Sequence, residues 1–185
     1  MRRSARFLAM SLFVVTACTA TLLTIPIERE AEVVIARGTV LEDLVGELGF
    51  GEFVSMDLAN AQELENQGVA PGDVRDVELV LFELEATAPN GADLSFIDSM
   101  QLYAEAPGLP RVLVASASSF PAGQAVVAFD IEPLDLTDYV VSESMTLDTE
   151  VSGRRPDQDT TVVARFAVDV GVTGQGACAF ASAGD

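Results

Sequence analysis

Residues 77–86 read VELVLFELEA. Val77, Leu79 and Leu81 keep one parity against Glu78, and then Phe82, Leu84 and Ala86 take the other parity against Glu83 and Glu85. A period of two places alternate side chains on opposite faces of a β-strand. The change of parity near Leu81 and Phe82 is what one inserted residue, a β-bulge, does to a single long strand. The same period returns at SMQLYAEA (99–106), RVLVASAS (111–118), QAVVAFDIE (124–132), SMTLDTEVS (144–152) and TTVVARFAVDVGV (160–172). Between them lie the breakers APNGADLSF, PGLP, FPAG, EPLDLTDY and GRRPDQD, which are turn chemistry. Strands every ten to fifteen residues without crossover helices predict a mainly β fold, an antiparallel β-sandwich of immunoglobulin-like or jelly-roll-like kind with one or two short helices.

Outward from this core the pattern changes. GTVLEDLVGELGF (38–50) has Thr39 and Glu42 at capping-box spacing, and Leu41, Leu44, Val45 and Leu48 at i, i+3, i+4 and i+7, which predicts a short helix ended by Gly49. NAQELENQG (60–68) offers a helical turn between Asn60 and Gly68, or a continuation of the strand begun at EFVSMDL. TATLLTIPIERE (19–30) reads as a tether running into a first strand, with Pro26 against helix. Around SGRRPDQD, Met145, Leu147, Thr149 and Val151 are expected to face Val162, Ala164, Phe166 and Val168 in a hairpin. Leu94 and Phe96, beside Ile97 in DLSFIDS, are expected to be buried under the sandwich edge.

At the N-terminus, MRRSAR carries three arginines and FLAMSLFVVTA (7–17) follows as an apolar run of eleven residues. A spanning helix needs about 20; a signal-peptide core needs about 7 to 15. Val15-Thr16-Ala17-Cys18 resembles the lipobox of bacterial prelipoproteins, in which an aliphatic and two small residues precede the cysteine. The resemblance implies removal of residues 1–17, diacylglycerol on the Cys18 thiol and acylation of its new amine, a stable anchor at about 0.8 kcal/mol per buried methylene. Thr19 in place of Asp is similar to lipoproteins sent to the outer membrane. An ordinary secretory signal, leaving Cys18 as a free thiol, is the competing reading of the same residues. The expected organisation is a signal peptide at 1–17, a lipidated tether at 18–30, a β-sandwich domain at 31–174 and a loose tail at 175–185. With Cys18 acylated, Cys178 is left as a single thiol.

Composition narrows function. Three of the ten basic residues, Arg2, Arg3 and Arg6, precede Cys18, so residues 18–185 set seven arginines against 29 acidic residues and the formal charge falls from −19 to −22. Such a charge repels phosphate, which argues against nucleic acid and against electrostatic attraction to anionic lipid; the membrane is expected to be met through lipid alone. The chain has no histidine, lysine or tryptophan, which removes the Ser-His-Asp triad, histidine metal sites and lysine Schiff bases. No enzyme activity is expected. The reading is a lipid-anchored lipoprotein of the bacterial cell envelope with a non-catalytic structural or interaction role toward an envelope protein or glycan, without cofactor. A calcium-dependent binding module is the first alternative, with Asp157 and Asp159 in PDQDTT or Asp135 and Asp138 in EPLDLTDY as oxygen ligands. Counted from Asp157 an EF-hand fails, since Val162 stands where glycine is needed and Val168 where glutamate is. Arg154 and Arg155 neutralising Asp157 and Asp159 in a solvated turn explains the same residues without a ligand. A carboxylate-based hydrolase is the second alternative and requires a cleft with two inward carboxyl groups, one of raised pKa. Tyr103 and Tyr139 are too few for an aromatic platform.

Overall fold

A computed structural model describes residues 21–38, 62–142 and 144–173. The helix expected at 38–50, Asn60, Cys18 and the tail at 175–185 lie outside the described residues, apart from Gly38. Among the described residues eight strands form: β1 (Thr21–Ile35), β2 (Val74–Ala88), β3 (Ile97–Glu105), β4 (Val112–Ala117), β5 (Val126–Ala128), β6 (Asp130–Ile131), β7 (Thr146–Gly153) and β8 (Thr160–Thr173). They make two four-stranded antiparallel sheets, β1-β8-β2-β5 and β6-β4-β3-β7, which is the mainly β, sandwich-like architecture that the alternation predicts. Two helices of one turn each, α1 (Gln62–Glu65) and α2 (Thr137–Val140), accompany them.

The central strand β8 turns Val162, Ala164, Phe166, Val168, Val170 and Val172 into the core, all buried. Met100, Leu102 and Ala104 of β3, Val114 of β4, and Leu147 and Val151 of β7 belong to the same buried cluster from the second sheet. The bulge in β2 is present one residue earlier than the parity suggests: Leu79 pairs Val168 and Leu81 pairs Ala167, so Val80 is the inserted residue. Val80 and Leu81 are consequently both exposed, and Leu79 and Phe82 both buried.

Three expectations require correction. Residues 21–30, assigned to the tether, are strand: β1 pairs with β8 from Thr21 to Ile35. Ile25, Ile27, Ala31 and Ile35 point inward, in alternation with exposed Pro26, Glu28, Glu30 and Glu32. Proline is tolerated there because β1 is an edge strand, and exposed Glu28, Glu30 and Glu32 further discourage pairing with another sheet. The SGRRPDQD segment does not close a hairpin, since β7 pairs β3 in one sheet while β8 pairs β1 and β2 in the other. One apolar face on each strand serves a partner across the core as well as one along a ladder. QAVVAFDIE is two strands, because the chain leaves the first sheet after β5 and enters the second at β6. Phe129 sits at that step with its ring edge-on to Phe82 at 4.7 Å between centroids.

The core beneath the edge strand β1 is closed by α1. Gly68, at φ +67°, ends that helix, with Val69 N–H on the Leu64 carbonyl at 3.0 Å and Gly68 N–H on Glu65 at 3.0 Å, a Schellman arrangement. Leu64 and Val69 are buried as a result. Arg29 holds the inward parity of β1, and its guanidinium donates to both carboxylate oxygens of Glu63 at 2.6 and 2.9 Å. Those hydrogen bonds lower the Glu63 pKa from 4.5 to about 2. A folded pKa below the unfolded one stabilises above the unfolded value and loses that effect on acidification. The stability difference between the native chain and Glu63→Gln is therefore expected to be about 1 kcal/mol or less at pH 6, given the solvent exposure of the pair, and to shrink between pH 4.5 and 2. Denaturant midpoints of both proteins across that range check it.

Candidate functional site

At the end of the sandwich where β2 and β7 leave their sheets, two connections enclose a polar groove of about 210 Å³. One wall is the β2–β3 loop. After the cis Ala88-Pro89 bond, Gly91 at φ +81° completes a turn in which Ala92 N–H donates to the Pro89 carbonyl at 2.9 Å. Asp93 then accepts from Ser95 N–H at 3.0 Å and from Gly123 N–H at 2.6 Å, tying the wall to the β4–β5 connection. Leu94, Phe96 and Ile97 anchor it from below, all buried, Leu94 and Phe96 as expected.

The other wall is the β7–β8 connection. Arg154 N–H donates to the Phe96 carbonyl at 2.8 Å and Gly38 N–H to the Pro156 carbonyl at 3.1 Å; the Thr160 hydroxyl donates to the Gln158 carbonyl at 3.0 Å. Pro156 and Thr160 are buried, whereas Arg154, Asp157 and Gln158 are exposed and line the groove. Both walls are thus fixed by main-chain bonds before anything binds, and the groove presents a guanidinium, carboxylates and amides. The Gly123 and Ser95 hydrogen bonds, with Arg154 nearby, hold the Asp93 carboxyl below its ordinary pKa. It is a charged acceptor already occupied by N–H donors.

Of the candidate metal ligands, only Asp157 faces this groove. Asp159 turns away and accepts the Arg37 N–H at 2.9 Å. Asp135 lies with the α2 loop, where partial burial raises its pKa but the Thr137 hydroxyl and N–H, at 2.6 and 2.9 Å, outweigh this and lower it. Asp138 is exposed on α2. No three potential ligands gather among the described residues. The Arg155 guanidinium donates to the Ala36 carbonyl at 3.3 Å; among the described residues no ion pair joins it or Arg154 to Asp157 or Asp159. Tyr139 is buried with its hydroxyl on the Pro110 carbonyl at 2.7 Å.

Two surface clusters have no counterpart in the sequence motifs. Arg111 lies 3.5 Å over the Tyr103 ring and bridges Glu105, Asp148 and Glu150 at 2.6–2.8 Å. Arg165 bridges Glu30, Glu83 and Glu85 on the outer face of the first sheet at 2.6–3.2 Å. Their partners come together only through strand register, which single-strand alternation does not carry. Asp93, by contrast, had a local signal: an Asp two residues before a Ser in a turn is an Asx-turn pattern. No protein-family model matches the chain, and no curated protein matches it.

Proposed function

We propose that the protein is a lipid-anchored lipoprotein of the bacterial cell envelope, held through Cys18, with a non-catalytic structural or interaction role toward an envelope protein or glycan. The observation that carries this reading is Val15-Thr16-Ala17-Cys18 behind a charged start and an apolar run too short to span a bilayer. An acidic body of formal charge −22 over residues 18–185, as counted above, gains nothing from an anionic surface, so covalent lipid is the means of attachment that suits it. Thr19 favours the outer membrane. The preformed groove around Arg154 and Asp157 is the surface offered to the partner, and its mixture of charged and amide groups suits polar recognition.

The test is the full chain expressed in a Gram-negative host beside Cys18→Ser. The native protein is expected to begin at Cys18, to carry the mass of a diacylglyceryl and an amide-linked acyl group, and to enter the detergent phase. Cys18→Ser is expected to lose that mass and detergent partitioning altogether. A native protein without fatty acyl mass, soluble after lysis, overturns the reading.

A further inference from the structure

We propose that the Asn90-Gly91 turn in the groove wall is a site of spontaneous deamidation, at which the folded chain replaces a neutral amide by a carboxylate. The inference is independent of the acylation of Cys18. Asn90 is exposed and lines the groove. Its turn is closed by one main-chain hydrogen bond, from Ala92 N–H to the Pro89 carbonyl at 2.9 Å. Among the described residues neither the Asn90 side chain nor the Gly91 N–H has a hydrogen-bond partner.

Those two unpartnered groups are the ones that react. The Gly91 nitrogen, giving up its proton, attacks the side-chain carbonyl carbon of Asn90; the bond from that carbon to the amide nitrogen breaks, and ammonia leaves with the proton. One water then opens the cyclic imide at either carbonyl, giving aspartate or isoaspartate. Water is the sole co-reactant. Asparagine is thermolabile in general, but in a folded chain the ring closes only where the backbone can turn to bring nitrogen and carbon together. A φ of +81° at Gly91, following an asparagine whose φ is not positive, marks a type II turn. Closure requires the peptide plane between the two residues to rotate. Glycine accepts the compensating change of φ, and nothing lies within 4 Å of the place where its Cβ would be.

Asn66 supplies the contrast. It is also exposed, but the nitrogen that would attack belongs to Gln67, whose N–H is held by the Leu64 carbonyl at 3.1 Å at the end of α1. The Asn66 N–H is itself held by the Gln62 carbonyl at 2.8 Å. Conversion at Asn90 gives the groove one more carboxylate against the same Arg154 guanidinium, and the isoaspartate form lengthens its wall by a methylene.

The test ages the full chain and its Gln67→Gly variant, which gives Asn66 the same following residue as Asn90, at neutral pH, folded and in denaturant. Peptide mass mapping and isoaspartyl methyltransferase labelling read conversion at each asparagine. In denaturant the two asparagines of Gln67→Gly are expected to convert at similar rates. In the folded protein Asn90 is expected to stay within several-fold of its denatured rate while Asn66 falls well behind it, and Asn90→Gln is expected to lose most of the isoaspartyl label. Asn90 that keeps its amide in the folded chain while the denatured chain converts overturns the proposal, as does Asn66 of folded Gln67→Gly keeping pace with Asn90. If Gln67→Gly does not fold, the folded and denatured rates at Asn90 in the native chain decide alone.

Discussion

Phe82→Ala is expected to lower the unfolding free energy by about 3–5 kcal/mol, the range for removing a buried aromatic ring from a core that cannot collapse onto the space. Phe82 is the first inward residue after the Val80 bulge, 2% exposed, and pairs Phe166 on β8. Its ring meets Phe129 edge-on, and its carbonyl accepts the Phe129 N–H at 3.0 Å. The ring therefore supports the place where the chain passes from one sheet to the other. For a domain of this size the melting temperature should fall by roughly 6–20 °C. Val80→Ala, two residues away but 46% exposed, should stay within about 0.5 kcal/mol. Thermal and denaturant unfolding of the two variants side by side checks the phase of the bulge. Equal costs would mean that β2 is wrongly phased.

Gly153→Ala is expected to cost about 1–3 kcal/mol, the range for forcing atoms into filled space, and to fall at its upper end. A Cβ at Gly153 would sit 2.4 Å from the Phe96 carbonyl oxygen, 2.9 Å from Ile97 Cα and 3.2 Å from Asp98 N. All three are main-chain atoms, so no rotamer relieves the contact and β3 and β7 must part. Separation there also strains the Arg154 N–H bond to Phe96 and opens the groove wall. Gly72→Ala is the matched control. Its Cβ would meet nothing within 4 Å and its φ is not positive, so its denaturant midpoint should hold or rise slightly. A Gly153→Ala protein as stable as Gly72→Ala would contradict the close approach of β3 and β7.

Strand positions were legible because a half-buried strand must alternate, and the bulge was legible because an inserted residue flips that alternation in view. Sheet membership was not. Leu147 and Val151 show that β7 has an apolar face, but nothing in that face says whether Phe166 is its ladder neighbour or lies across the core. The same ambiguity hid the step at Phe129, where one apolar run supplies both sheets. For β1, Pro26 reads as a breaker although Ile25, Ile27 and Ala31 alternate with Pro26, Glu28 and Glu30; an edge strand accepts proline without interruption. At the groove, the turn holding Asp157 and the burial of Leu94 and Phe96 were readable locally. The meeting of Asp93 with Arg154 was not, since it depends on two connections brought together by register. Spacing of two in Asp157 and Asp159 suggests a shared ligand, yet Asp157 lines the groove while Asp159 accepts the Arg37 N–H.

The pairing of β1 with β8 sets the order of events during synthesis. Glu30 and Arg165, 135 residues apart in the chain, belong to neighbouring strands, so a polypeptide made N-terminus first completes β1 long before its template emerges. Contacts of such large sequence separation fold slowly and leave early segments unsatisfied. Pro26 and the outward glutamates then act before the native state exists: they keep a waiting, strand-prone segment from being zipped onto another nascent copy.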